Sequence, residues 1–433
     1  MPAQSLLQTP AQTLAQTLAQ KLVAKAAGRA HVAAGEIVTC KVDLAMFHDS
    51  SGPRRLQPML ERLGAEIWDK DKVVLITDHY VPEYDADSRK ILQITRDWAK
   101  AQRIKNFYDG EGICHVVLPQ KGHLRPGMFA VGGDSHSPTG GAFGAYMFGV
   151  GATEMLGVVV TGEIWLKVPE TILMRFKGRL GKGVTAKDIM LFLCARFGMD
   201  GGEYQAVEYT GAAIRALSMQ ERMTLANMTA ELGGQTGLIA PDETTREFLS
   251  AAGVSEVDTD TWHGDPDAHY AAIHEFYADT LEPQVAAPHS PANTRGVSTF
   301  NEAIDTAYIG ACTGAKLVDL RAAAEVLKGR RAASSVRLMV APASKQDQAQ
   351  AAAEGVMQVL IDAGARVLPN ACGVCAGYSE ETFGENECVI SSTARNFKGR
   401  MGAPSSQVFL ASPYTVAASA LTGRISDPRE VLA

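Results

Sequence analysis

Short runs of apolar and β-branched residues alternate along the chain with longer segments of helical periodicity. "KVVLITDHY" precedes the helical pattern "DSRKILQITRDWAKAQRI", and three further predicted strands follow in "CHVVLPQ", "MFAVGGDSH" and "GVVVTGEIWLKV". Strands that are apolar at nearly every position are typical of parallel sheets that are buried on both faces. The pattern therefore predicts an α/β fold.

The same alternation begins again twice further along the chain. "TILMRFKGRLGKGVTAKDIMLFLCARFG" starts a second strand-to-helix cycle that runs to about Ser255, and "TAYIGACTGAKLVDLRAAAEVLKGRR" starts a third. Between them, the Pro-, Ala- and Ser-rich stretch from Leu281 to Asn301 is typical of a linker. At 433 residues the chain is long for one domain, and the usual domain size of about 100–200 residues predicts two to four.

Composition and charge exclude several classes of protein. A hydrophobic share of 46% with 21% charged residues is that of an ordinary globular protein. No apolar run approaches the roughly 20 residues needed to cross a bilayer, so we predict no membrane partner. The net charge of −7 argues against a nucleic-acid partner, because phosphate neutralisation needs clustered Lys and Arg.

Targeting signals and cysteine usage predict a cytoplasmic protein. The first twenty residues contain no Lys or Arg and repeat "TLAQ", which does not fit a secretory signal or a transit peptide. They are predicted to form a polar helical lead-in or a frayed extension. Seven cysteines, an odd number spread thinly along the chain, fit a reducing compartment better than a disulfide framework.

Three of the cysteines follow predicted strands in glycine-rich turns. Cys312 lies in "GACTGAK", and Cys372 and Cys375 lie in "LPNACGVCAGY", at the strand ends where open α/β sheets usually bind ligands. A helix N-terminus after Cys312 would favour its thiolate. Three thiolates would bind three irons of a four-iron cluster and leave the fourth iron open to a substrate. A zinc site and a purely structural role remain alternatives at this point. Cys194, in "IMLFLCARF", and Cys388, at the start of "CVISST", are expected in the core and in a strand.

Four motifs in order resemble the aconitase superfamily, and within it the large subunits of the isopropylmalate isomerase and homoaconitase-like hydro-lyases. "GGDSHSPTGGAFGAYMFGVGATE" is the most specific match, "STARNFKGRMG" is nearly as good, and the two cysteine motifs complete the set. The resemblance begins at about Thr13 and covers almost all of the chain. It implies three α/β domains at residues 1–168, 169–285 and 286–433, with the cysteines in the third and the active site at the domain interface.

Carried over by position, the resemblance assigns residues to three roles. Cys312, Cys372 and Cys375 would hold a [4Fe-4S] cluster with one open iron. The residues that match the family's catalytic carboxylates and imidazoles are Asp78, His79, His115, Asp134, His136 and Glu231. The residues that match substrate-binding positions are His48, Asn227, Arg395 and Arg400. The resemblance further implies that Glu231 pairs with His115.

These residue types suit the dehydration of a hydroxy-carboxylate. A proton beside a carboxylate is weakly acidic, and hydroxide is a poor leaving group, so a Lewis-acid iron that binds the hydroxyl helps. Histidines held by Asp or Glu can donate the proton that makes hydroxide leave as water, and arginine suits the substrate's carboxylates. We expect a small 2-hydroxy di- or tricarboxylate such as isopropylmalate or a methyl-substituted malate.

Two departures and one absence qualify the resemblance. After the first cysteine the family commonly has Asn and Ser, where this chain has Gly314 and Ala315, and before Arg395 it often has Asn, where this chain has Ala394. Both departures are expected to remove polar groups near the cluster and substrate. The chain ends without the swivelling fourth domain that carries the catalytic base in full-length aconitases, so the base is expected on a separate small subunit.

Two other functions remain open on the sequence. One is a metal-stabilised anion-binding protein without catalysis, with zinc or an inert cluster at the cysteines. The other is a thiol redox protein that uses "CGVC", which would need an exposed, reactive pair and would leave Cys312 unexplained.

Overall fold

The computed structural model describes residues 15–432, and the first fourteen residues of the predicted lead-in lie outside that range. The rest of the lead-in enters helix α1 (Leu18–Ala26), whose first turn is capped by Thr17: its hydroxyl accepts a hydrogen bond from the Gln20 backbone N–H. Within the described residues, no helix is both long enough and apolar enough to cross a membrane.

The first part of the chain forms a parallel sheet and a separate ribbon. Its strands are Ile37–Lys41 (β1), Leu44–His48 (β2), Val73–Thr77 (β3), Asn106–Asp109 (β4), Phe129–Gly132 (β5), Tyr146–Gly149 (β6) and Glu163–Lys167 (β7). The sheet has the order β4-β3-β2-β5-β6, and β1 pairs with β7 in an antiparallel ribbon. All residues of β2, β3 and β5 are buried, which confirms the predicted burial on both faces. The helices are Pro53–Leu63 (α2), Ala86–Gln102 (α3), Cys114–Gln120 (α4) and Ala152–Thr161 (α5).

Two strand predictions in this part are wrong. "CHVVLPQ" forms helix α4, which is buried along its whole length, and "GVVV" lies in helix α5, so only the residues after it form β7. A short, fully buried apolar run has no polar face, so its periodicity does not distinguish a helix from a strand.

The second part contains a four-stranded parallel sheet. Its strands are Thr171–Lys177 (β8), Ala206–Thr210 (β9), Thr236–Leu238 (β10) and Ala272–Tyr277 (β11), in the order β10-β9-β8-β11. The helices are Ala186–Phe197 (α6), Ala212–Arg215 (α7), Met219–Asn227 (α8) and Glu243–Ala251 (α9). Cys194 is fully buried in α6, as predicted.

The third part contains a seven-stranded sheet. Its strands are Gln284–Ala286 (β12), Thr294–Gly296 (β13), Thr306–Ile309 (β14), Arg337–Val340 (β15), Arg366–Val367 (β16), Cys388–Ser391 (β17) and Gln407–Ala411 (β18), in the order β13-β12-β18-β17-β14-β15-β16. The helices are Leu317–Leu327 (α10), Lys345–Ala353 (α11), Val356–Asp362 (α12), Gly373–Ala376 (α13) and Pro413–Thr422 (α14). As predicted, Cys388 is a strand residue.

The predicted linker is part of the third sheet. Its residues include β12 and β13, which pair with each other, and β12 also pairs antiparallel with β18. Each of these strands has only three residues, and β-propensity depends strongly on the neighbouring strands, so their pairing is set by tertiary context. Each of the three predicted domains contains one multi-stranded sheet, although β12 crosses the bound at residue 285; the domain bounds themselves stay a prediction.

Two strand-order reversals place the candidate site. In the first sheet the chain runs from β2 outward to β4 and then returns to β5 on the other side of β2; in the third it runs from β14 to β16 and returns to β17 beside β14. Loops diverge at such a reversal and leave a crevice at the carboxyl ends of the strands. His48 ends β2, and Cys312 follows β14 by three residues.

Candidate active site

The first group of site residues follows β2 and β3. The rings of His48 and His79 stack in parallel with their centroids 3.9 Å apart. Nδ1 of His79 lies 2.6 Å from Oδ1 of Asp78, whose other oxygen accepts a hydrogen bond from the Cys114 backbone N–H at 2.7 Å. The backbone N–H of Ser50 donates to Nδ1 of His48 at 3.2 Å. That bond makes Nδ1 the acceptor, so the proton of a neutral His48 is on Nε2.

The second group contains two imidazole–carboxylate pairs. Nε2 of His115 lies 2.8 Å from Oδ1 of Asp134, and Nε2 of His136 lies 3.0 Å from Oε1 of Glu231. The expected Glu231–His115 pair is therefore wrong: Glu231 pairs with His136. The same oxygen of Glu231 accepts a hydrogen bond from Nε of Arg395 at 2.5 Å.

Burial and neighbouring charges set different protonation states for the three histidines. Burial disfavours the charged form of His79, but the charge and hydrogen bond of Asp78 outweigh it and raise the pKa of His79 to about 10. Burial lowers the pKa of His115 despite the charge of Asp134. For His136, the Glu231 charge outweighs burial and raises the pKa. His79 is thus charged at neutral pH and can donate a proton.

The carboxylates of the site are ionised. Burial opposes ionisation of Glu231, but Arg395 and His136 outweigh it and lower the pKa of Glu231 to about 2. In the same way burial opposes ionisation of Asp78, while the charge of His79 lowers its pKa well below the usual value. The charged imidazole of His79 therefore faces the charged carboxylate of Asp78, which holds both side chains in place in a buried region.

The three predicted cysteines share one region of the site. Each thiol is close enough to another to change its pKa. A hydrogen bond from the Cys372 thiol outweighs burial, with help from nearby Arg400 and His136, and lowers the pKa of Cys375 to about 5. The amide Nδ2 of Asn227 donates to Sγ of Cys312 at 3.3 Å. These contacts favour at least one thiolate, the form that binds metals.

Several buried polar atoms around the site have no hydrogen-bond partner within the described residues. They are Nε2 of His48, Oγ of Ser51, Oδ1 of Asn227, Oε2 of Glu231 and Nε of Arg400. Buried polar atoms are nearly always paired in folded proteins, so a cluster of unpaired ones indicates a place for bound groups. A cavity of about 350 Å³ is lined by His48, His79, Asp134, Arg395 and Arg400, among others.

Comparison with known proteins decides the family. The profile of the aconitase family (aconitate hydratase) matches residues 20–303 and 292–423. The chain belongs to the aconitase family. It is 44% identical to the 3-isopropylmalate dehydratase large subunit of Hydrogenobaculum sp. over 94% of this chain and 96% of that protein. It is also 44% identical to the 3-isopropylmalate dehydratase large subunit 1 of Methanopyrus kandleri, over 92% of this chain and 96% of that protein.

Hydratases and dehydratases are both hydro-lyases, and we assign this member of the aconitase family to that class of enzyme. Its α/β sheets and helices fit the family assignment. A solved structure, aconitase X from Thermococcus kodakaraensis, is similar over 83% of this chain and 84% of its own, with a TM-score of 0.49 and 12% identity, a likeness too distant to add to the assignment.

The departures from the common aconitase-family motif have local explanations. A Cβ at residue 314 would lie 2.3 Å from the Cβ of Ser392, so the close packing of Ser392 requires Gly314. The hydroxyl of Ser392 donates to the carbonyl of Gly314 at 3.1 Å, which keeps a polar group at this turn. Ala394 is fully buried in an apolar cluster with Met228. The Ala394 side chain therefore packs in the core, and the expected loss of a polar group near the substrate stays a prediction.

Sequence reasoning missed two buried contributors to the site. The carboxylate of Asp49 accepts hydrogen bonds from the backbone N–H groups of Asp78, His79 and Tyr80 at 3.2, 3.1 and 2.7 Å, so it fixes the loop after β3. Asp49 directly follows His48 in the sequence, but the first backbone N–H that it binds, that of Asp78, is 29 residues away. Only the pairing of β2 with β3 brings the two residues together.

The side chain of Lys187 was also missed. Its ammonium group is fully buried and donates to the backbone carbonyls of Ser392 and Thr393 at 2.9 and 2.6 Å. It thereby supports the turn that leads to Arg395. The helix-forming segment around Lys187 gave no signal, because one lysine on a helix is usually a solvated residue.

Proposed function

We propose that this chain is the large subunit of an iron–sulfur hydro-lyase that dehydrates a small 2-hydroxy dicarboxylate, with 3-isopropylmalate as the favoured substrate. The observation that carries the proposal is the presence of three cysteine thiols, three imidazole–carboxylate pairs and two arginines in one region. The two relatives that are 44% identical to this chain are 3-isopropylmalate dehydratase large subunits, which supports the proposal.

A [4Fe-4S] cluster fits the donor set. Cys312, Cys372 and Cys375 are three thiols without a disulfide partner, which is the number that leaves one iron of four without a protein ligand. The side chain of Asn227 donates a hydrogen bond from Nδ2 to Cys312, and its Oδ1 has no hydrogen-bond partner within the described residues. A group bound at the cysteines would give that oxygen a partner. When bound, the cluster would supply a Lewis acid that polarises the substrate hydroxyl.

The cavity favours a dicarboxylate with an alkyl substituent. Arg395 and Arg400 lie on one part of its lining and offer planar forks to carboxylates. Val150, Ala152 and Met155 also line the cavity, and their side chains offer apolar contacts to an alkyl substituent rather than hydrogen bonds to a third carboxylate. An alkyl-substituted malate therefore suits the cavity better than a tricarboxylate.

The residues of this chain supply the acid for dehydration. We assign the proton that converts the leaving hydroxide into water to His79, which Asp78 holds in its charged form. His115 is held by Asp134, and His136 is held by Glu231. The two imidazoles would orient the part of the substrate that carries the hydroxyl group and stabilise charge there. Arg395, fixed by Glu231 and by the hydroxyl of Ser135 at 2.9 Å, would hold one carboxylate.

A second, smaller chain would supply the base. Abstraction of a proton from a weak carbon acid needs a base within hydrogen-bond reach, and we place it on the swivelling-domain subunit implied by the resemblance. A small chain that closes the cavity would also exclude water. A cytoplasmic location remains part of the proposal.

The test is an anaerobic assay of alkene formation from 3-isopropylmalate by the cluster-loaded chain, with and without the small subunit. We expect turnover only with both chains. Full turnover by this chain alone would show that the base lies within it. A colourless protein that holds zinc and no acid-labile sulfide would favour the anion-binding alternative.

A further inference from the structure

A large cavity lies beside the candidate active site and opens along the β1–β7 ribbon. It measures about 1330 Å³. It shares Val150 and Tyr204 with a second cavity of about 380 Å³, which is lined by Asp134 and Arg395 of the site. A continuous groove therefore runs from the substrate cavity to the ribbon.

Large apolar side chains face solvent on the ribbon, and one of them, Trp165, also lines the groove. Ile37 is 72% exposed and Trp165 is 69% exposed. In the register of the ribbon, Trp165 lies opposite Thr39 and Ile37 opposite Lys167, so all four side chains lie on one face. The opposite face of the ribbon, with Val38, Cys40 and Leu166, is buried in the core.

Tyr204 extends this apolar surface on the other side of the cavity. It is 63% exposed, and both Glu203 and Tyr204 have positive φ, at 45° and 57°. Non-glycine residues adopt this conformation at a cost. The Tyr204 N–H donates to the carbonyl of Gly233 at 2.8 Å, which holds the strained turn with its ring at the surface.

The charges along the groove are mainly negative. The charged residues that line it are Glu154, Glu163, Glu170, Glu203 and a single basic residue, Lys167. The substrate cavity, in contrast, is lined by three arginines, Arg55, Arg395 and Arg400. A protein that covers both would need an apolar face with basic side chains where its rim meets the acidic groove and none over the arginines, because opposite charges steer association and like charges oppose it.

We infer that the outer face of the β1–β7 ribbon, together with Tyr204, is the docking surface for the small subunit. The inference rests on the proposed function, which requires a second chain over the substrate cavity. Exposed apolar patches rimmed by polar residues mark interaction sites, and this one is continuous with the cavity that the partner must reach. The partner is thus a small subunit with an apolar, basic-rimmed face.

The test compares two charge-introducing variants of exposed aromatic residues. Trp165→Glu lies on the proposed surface, whereas Tyr277→Glu, at a residue that is 60% exposed on β11, is the matched control. The probe is the purified small subunit that restores dehydration of 3-isopropylmalate to the wild-type chain. We expect Trp165→Glu to weaken its binding at least ten-fold, as for a buried interface tryptophan, and Tyr277→Glu to leave it unchanged, with equal thermal midpoints for all three chains.

A photo-crosslinking amino acid at residue 165 provides a second measurement that does not depend on the substitution's effect on folding. We expect it to link the small subunit, and the same group at residue 277 to link none. If the wild-type chain and the small subunit form an active pair but Trp165→Glu binds the small subunit as tightly as the wild type does, the docking surface is wrong. The same holds if Trp165→Glu reduces self-association of this chain and not its binding of the small subunit. Both outcomes leave the proposed function in place. If no small subunit restores activity to the wild-type chain, the proposed function fails and this inference fails with it.

Discussion

At the scale of single residues, the pairing of histidines with carboxylates is the feature that the sequence predicted only in part. All the carried-over residues except the cysteines and Asn227 lie in imidazole–carboxylate pairs or in the cavity lining, but the partner of Glu231 is His136 rather than His115. The 95-residue separation of that pair explains the error, because only tertiary packing decides which imidazole faces Glu231.

Removal of His136 tests the role of this pair. We expect His136→Ala to lower turnover by about 100-fold or more, the usual scale for acid–base groups, with iron and sulfide content near that of the wild type. Arg395 still holds Glu231 in the variant, so the fold should persist. His31→Ala, at an exposed position, is the control. Near-normal turnover would contradict a catalytic role for His136.

Arg400 tests substrate binding. The Nε atom of Arg400 is buried and has no hydrogen-bond partner within the described residues, as expected of a group that binds a ligand. Because lysine keeps the charge but loses the planar fork, we expect Arg400→Lys to lower kcat/KM at least ten-fold, mainly through KM. Arg424→Lys, at an exposed arginine, should behave as the wild type. An unchanged KM for Arg400→Lys would contradict the assignment.

At the scale of secondary-structure elements, strand patterns were predicted well where both faces are buried, and poorly where apolar runs are short. β3, β5 and β14 follow the predicted runs, but α4 was predicted as a strand. The linker prediction was wrong because β12, which pairs with β13, joins the sheet by pairing with β18, more than 100 residues away. Local composition carries no information about such a partner.

The junction of α1 with β9 makes a prediction about pH. Glu208 accepts a hydrogen bond from the Ala19 N–H at the start of α1 and one from the hydroxyl of Tyr270, at 3.1 Å each. Burial raises the pKa of Glu208 to about 7, although these bonds and the charge of Lys21 oppose the shift. Because the pKa of Glu208 is higher in the folded state than in the unfolded state, protonation of this carboxyl stabilises the fold. That contribution is complete below about pH 4.5 and is lost as pH rises through about 7.

Glu208→Gln keeps the shape of the protonated carboxyl without its charge. We expect the variant to match the wild type in thermal midpoint near pH 5 and to exceed it at pH 8, where the ionised wild-type carboxyl costs about 2–3 kcal/mol. Thermal scans at both pH values provide the measurement, with Glu256→Gln, at an exposed position, as the control. A midpoint difference that does not change with pH would contradict the shifted pKa.

At the scale of the whole molecule, two sheets place the site at their strand-order reversals. The first sheet contributes the histidines, and the third contributes the cysteines and the arginines. The sequence predicted the position of the cysteines, because each cysteine motif follows a predicted strand. It could not predict the groove along the β1–β7 ribbon, since the exposure of Ile37 and Trp165 follows from their register and not from their type.

The central claim is that three thiols of this chain hold a four-iron cluster with one open iron. The most direct measurement is Mössbauer spectroscopy of the chain loaded anaerobically with iron-57, together with iron and sulfide analysis, for the wild type, Cys312→Ser and the core control Cys194→Ser. We predict about four irons and four sulfides per chain, with one iron site that shifts when 3-isopropylmalate is added to the wild type and to Cys194→Ser. Loss of the cluster is expected in Cys312→Ser. A spectrum with four equivalent irons that do not change when the substrate is added would contradict the account. An intact cluster in the Cys312→Ser variant would contradict it as well.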